Sequence, residues 1–192
     1  SEVYIEQVET RLEAFADLRG ADLSYANMSN LNLTGANLKA ANLNYTMLQG
    51  ADLRYADLRY TWLTGADLTG ADLRQAGLIV AWLNGANLTG ANLTYAWMGG
   101  ANLYDANLTG ADLTGADMHR AHLQYADLSD TTLQYAYLFG AYLYDANLTG
   151  AYLYDANLTG AYLNGANLNS ADLNSADLSG ANLTGAYLNG AD

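Results

Sequence analysis

The chain has only two histidines, His119 and His122, and both follow closely on Asp117. Imidazole beside carboxylate is the pairing that binds transition metals or moves protons near neutral pH. Shared metal chemistry requires the two rings to converge on one point, so the answer depends on what holds residues 117–122. No other group competes for a catalytic role. There is no cysteine and hence no thiolate or disulfide. The glycines are scattered rather than gathered into a phosphate-cradling loop, and no Ser, His and Asp set suggests a triad. The expectation is a chain without enzymatic activity, cofactor or metal.

Aromatic side chains are the other chemically expressive group. Trp62, Trp82, His122, Tyr142 and Tyr162 recur at multiples of twenty, broken once by Asn102. Trp97, Tyr137 and Phe139 form a second set, and Tyr152 and Tyr154 a third. Trp and Tyr are the residues that anchor protein interfaces, and they also stabilise ladders by cross-strand stacking.

The 192 residues fit one domain and are 51% hydrophobic but only 14% charged, with a net charge of −13 and a pI near 4.1. Such a surface repels a phosphate backbone, so direct nucleic-acid binding is not expected. No run of about 18 apolar residues suggests a membrane span. The first residue is Ser rather than Met, which leaves export open, with a cytoplasmic location favoured.

What must position these residues is a repeat of five. From Ala16 to Asp192 a large apolar centre recurs at 18, 23, 28 and on to 188; 32 of the 35 centres are Leu, and the others are Met28, Met98 and Met118. Two residues earlier stands Ala, replaced only by Leu31, Thr46, Thr61 and Thr131. Asp or Asn mostly lies between them, and two polar or small residues follow.

A helix would step each Leu about 140° round its axis and spread the set over the whole surface. A flat strand would send successive centres to opposite faces, because five is odd. A chain that turns a corner after each centre buries them all. Four corners close a square coil of twenty residues, with Leu and Ala inward. Stacked coils pair at about 4.8 Å, giving about nine coils in a rod roughly 43 Å long. His119 and His122 then straddle a corner and point away from different faces, which argues against a shared metal.

The motif A(D/N)LXX, in ADLTG, ANLTG, ADLRY and ANLNY, resembles the pentapeptide-repeat proteins and covers about 92% of the chain. The resemblance implies an all-β, right-handed quadrilateral β-helix in a mostly non-enzymatic family abundant in cyanobacteria. One branch of that family imitates DNA and binds gyrase. This chain differs from that branch in having no Phe at a centre and no loop insertion.

Residues 1–15 break the repeat. Tyr4, Ile5, Val8, Leu12 and Phe15 fall at helical spacing, which predicts an amphipathic capping helix before the repeat domain at 16–192. The far end shows no cap, so a homodimer or end-to-end association through the last coil is expected.

Three functions follow in order. The first is a rigid scaffold that binds a protein partner through aromatic and acidic faces, with Trp62, Trp82, Trp97, His122, Tyr137, Tyr142, Tyr152 and Tyr162 as the contact residues. The second is a DNA-mimicking inhibitor or protector of a type II topoisomerase. The third is an extracellular self-associating or ice-binding rod, suggested by the column Thr69, Thr89, Thr109, Ser129 and Thr149.

Overall fold

The computed structural model describes residues 14–192. The helix expected over 1–15 therefore lies outside the described residues except at its end. Ala14 and Phe15 form a turn, and the Phe15 amide donates to the Thr34 carbonyl at 2.8 Å, so repeat geometry already governs there.

The unit of the fold is a coil of twenty residues. Parallel pairing links each residue before a centre to the one twenty further on, from Asp17 with Asn37 through to Asn167 with Tyr187. Each coil has four sides. Face 1 carries residues 17–19, 37–39 and so on to 177–179; face 2 starts at 22–24, face 3 at 27–29 and face 4 at 32–34. A side is so short that only one residue, the one before the centre, pairs as a β-ladder does.

The corners follow from the hydrogen bonds. After each centre the chain makes a β-turn, for example from the Ala71 amide to the Leu68 carbonyl at 2.9 Å. The residue before that donor, Gly70, has φ +63°, the left-handed conformation that such a turn needs in its third position. Seventeen of the 19 glycines sit at these corners.

Four of the five amides in a repeat are bonded to backbone. Around Leu58, the Asp57 amide donates to Ala36 of the previous coil, the Leu58 and Tyr60 amides donate to Gly77 and Ile79 of the next, and the Thr61 amide closes the turn on Leu58. The fifth amide belongs to the residue after the centre. It donates to the Asp or Asn two residues back: Arg59 to Asp57 Oδ1 at 3.2 Å, Thr89 to Asn87 Oδ1 at 3.1 Å. That is the physical reason for Asp or Asn before Leu, since only a short side chain with an acceptor oxygen can reach that amide. It also leaves proline no position in the repeat.

The core is a column of centres. Every centre from Leu33 to Leu168 is fully buried, flanked by Ala at the corners. Where Thr replaces Ala, its buried hydroxyl donates to a main-chain carbonyl, as from Thr131 Oγ1 to Leu128 at 2.7 Å, so no polar atom is stranded by the change.

Candidate protein-binding faces

The structure distributes the eight aromatic candidates over three sides. Trp62, Trp82, His122, Tyr142 and Tyr162 share one column of face 2, as the spacing of twenty requires. Trp97 and Tyr137 occupy the same column of face 1, separated by Asp117. Tyr152 lies on face 4, opposite face 2, so it does not join either group.

Within face 2 the rings are in contact. His122 stacks on Tyr142 with centroids 4.9 Å apart, and Tyr142 on Tyr162 at 5.2 Å. Tyr144, two residues further along the side, stacks on Tyr162 at 5.7 Å. Trp62 and Trp82 head the same column, about half exposed, and border a groove of about 330 Å³ with Asn44 and Thr64. Two side-chain oxygens on this face, Gln124 Oε1 and Asn164 Oδ1, are buried without a hydrogen-bond partner.

These aromatics stand where the repeat otherwise places its turn-capping Asp or Asn. Each one removes the Oδ1 acceptor from the amide two residues on. The Thr64 amide, after Trp62, turns instead to Asn44 Oδ1 of the previous coil at 2.9 Å.

Face 1 holds a larger groove, about 470 Å³, around Trp97 and Tyr137. Asp117 lies between them, with Tyr95, His119 and Phe139 completing the lining. His119 Nδ1 donates to Asp117 Oδ1 at 2.7 Å. His122, by contrast, is turned onto face 2 against Tyr142. Among the described residues no three acidic or histidine side chains gather as a metal site would require.

The remaining sides are internally bonded. On face 3 each threonine or serine hydroxyl from Thr69 to Thr149 donates to the Asp or Asn two residues before it at 2.6–2.7 Å. Their protons are thus engaged within the turn rather than offered outward. On faces 1 and 4, Arg19, Arg54, Arg59 and Arg74 fold back on Asp17, Asp52, Asp57 and Asp72 at 2.6–2.7 Å. The hydrogen bonds from Arg54 lower the Asp52 carboxyl to about 2 against the opposing effect of burial. From Asp127 onward seven carboxylates remain with no Lys or Arg at all. Among the described residues no helix is long and apolar enough to cross a membrane.

Tyr95, Asp117 and His119 were not singled out by sequence as parts of one groove. A signal was present: Gly77 and Gly99 are the two glycines away from the left-handed corners, and both lie on face 1. A Cβ on Gly99 would collide with the His119 ring. That glycine is therefore explained by what lies over it and not by its own backbone.

A four-sided parallel β-solenoid built from five-residue units, with aromatic residues replacing Asp or Asn at points along its sides, defines a repeat protein of one kind. The pentapeptide-repeats family profile matches residues 16–54, 51–90, 86–124, 121–160 and 151–190. The chain belongs to the pentapeptide-repeat family. Among solved structures, HetL is 36% identical, with a TM-score of 0.66, over 100% of this chain and 93% of its own. HetL is a pentapeptide repeat protein involved in heterocyst differentiation regulation in the cyanobacterium Nostoc sp. strain PCC 7120. The pentapeptide repeat protein alr5209 from Nostoc PCC 7120 is 35% identical over 55% of this chain and 78% of its own, with a TM-score of 0.45. QnrB1, a plasmid-mediated fluoroquinolone resistance protein, is 20% identical over 85% and 93%, with a TM-score of 0.41. No curated protein matches the chain.

Proposed function

We propose that this protein is a non-enzymatic interaction module that binds a protein partner through the aromatic column of face 2 and the groove of face 1. One observation carries the reading. At Trp62, Trp82, Trp97, His122, Tyr137, Tyr142 and Tyr162 the chain gives up the Asp or Asn that bonds the following amide. A side chain that is partly or largely exposed and displaces the residue that caps its own turn has its use outside the fold. Tyr152 makes the same exchange on face 4 and belongs to a separate surface. HetL's involvement in a regulatory process supports a role exercised by binding.

The test is partner affinity in paired variants. Trp82→Ala and Tyr142→Ala should each weaken binding of an isolated partner by about 2 kcal/mol, as interface anchors do. Undiminished affinity in both variants would remove face 2 from the interface.

Topoisomerase inhibition by DNA mimicry is the competing function, and a supercoiling assay separates the two. The paired Asp17, Asp52, Asp57 and Asp72 speak against it, because the first three coils then carry arginine-paired carboxylates where a polyanion would be continuous.

A further inference from the structure

We propose that the face 1 groove between Trp97 and Tyr137 is a clamp for one arginine side chain of the protein partner, a reading that rests on the interaction function above. Trp97, Asp117 and Tyr137 follow one another up a single ladder column. Two ladder steps set the two aromatic residues about 10 Å apart. A flat group needs about 3.5–4.0 Å to a carbon surface on either side, so the interval takes one guanidinium plane. The carboxylate between the walls supplies the charge. Both hydrogen bonds that the Asp117 carboxylate receives, from the His119 amide and His119 Nδ1, fall on Oδ1, which leaves Oδ2 for an incoming donor. Guanidinium presents planar faces to aromatic rings and N–H groups to a carboxylate at once, where ammonium is a compact point charge.

The surroundings are consistent with that ligand. Tyr95 reaches over Gly115 and His119 over Gly99, positions where any larger residue would push these walls away. Arg120, the nearest basic residue in sequence, leans over Gly140 and does not line the groove. No Lys or Arg follows it, so an incoming cation meets an acidic end of the rod. The chain already uses the same attraction lower on this side, where Lys39 Nζ lies 5.7 Å from the centre of the Tyr60 ring.

Face 2 contains a built-in comparison. Trp82, Asn102 and His122 repeat the arrangement of ring, short polar residue and ring around a groove of about 290 Å³. Its central residue is neutral, so it lacks the element that would hold a cation.

The probe is N-acetyl-arginine amide, with N-acetyl-citrulline amide as its flat, neutral counterpart. The readout is the indole N–H resonance of each tryptophan in the full chain, assigned by Trp97→Phe. The arginine amide should shift the Trp97 resonance along a saturable, millimolar curve, citrulline amide should not, and Trp82 should stay in place. Asp117→Asn should weaken the arginine response about tenfold or more. That variant keeps the turn, because Asn serves the same position throughout the repeat, as Asn87 does. Equal responses to arginine and citrulline, an immobile Trp97 resonance, or an unchanged response in Asp117→Asn would each overturn the clamp. Such a failure leaves the broader function standing if Trp82→Ala and Tyr142→Ala still weaken the partner; loss of that effect sinks the broader function separately.

Discussion

Tyr142 and Tyr162 lie one coil apart with ring centroids 5.2 Å apart and planes within 6° of parallel. Neither ring enters the core, so the contact is a surface ladder laid over a buried one. Such a pair contributes about 0.5–1.5 kcal/mol beyond area burial. A double-mutant cycle with Tyr142→Ala and Tyr162→Ala, read by urea unfolding, should return a coupling in that range. Zero coupling would mean that the two rings are solvated independently and that the stack adds nothing to the solenoid.

Glycine at the corners serves two separate purposes that substitution can tell apart. Gly65 and Gly70 share the same left-handed backbone, at φ +64° and +63°. A Cβ on Gly70 meets open space, whereas one on Gly65 strikes the Tyr45 ring. Gly70→Ala should therefore cost only backbone strain, about 1–2 kcal/mol. Gly65→Ala should cost more and should release Tyr45 from its 5.2 Å stack on Tyr25. Equal losses in thermal or urea unfolding would show that the tyrosine swings aside freely.

The contrast between these two glycines shows what the sequence discloses. The repeat of five, the coil of twenty and the inward Leu and Ala were legible because burial leaves a periodic mark on every unit. The columns of face 2 were legible for the same reason. The recurrence of Asp and Asn was visible but their role was not, because the bond from the amide two residues on to Oδ1 depends on the geometry of the turn, which the period alone does not give. The same period set Tyr152 and Tyr154 apart from the other aromatics, and they lie on face 4. The partnership of Tyr95 with Gly115 and of His119 with Gly99 joins neighbouring coils through side-chain direction, which residue type does not encode.

Acid should weaken the protein by a route that one residue can isolate. The Asp52 carboxyl is held at about 2 against a reference of 3.8, chiefly by the hydrogen bonds from Arg54. Because the folded value is the lower one, the unfolded chain takes up the proton first as pH falls. The contribution is complete above 3.8 and is lost as pH drops through about 2. Asp52→Asn lacks this dependence. The stability gap between wild type and Asp52→Asn should therefore narrow across that window and be steady above it. Urea midpoints at a series of pH values measure it; a gap that does not change with pH would mean that the pair contributes no linkage.

The exchange of a capping Asn for an aromatic can be reversed. Trp82→Asn would return an Oδ1 acceptor to the Asn84 amide, as Asn87 provides for Thr89 at 3.1 Å. A turn hydrogen bond is worth about 0.5–1.5 kcal/mol, which offsets the contact area lost with the indole. Trp82 is 48% exposed, so that loss is well below the cost of a buried ring. The expected variant is as stable as wild type to within about 1 kcal/mol and defective in partner binding. If the tryptophan column exists to hold the solenoid, the result inverts: Trp82→Asn unfolds early in urea and still binds its partner when folded. Stability and affinity measured on the same preparation therefore decide whether the aromatic residues of face 2 serve the fold or the partner.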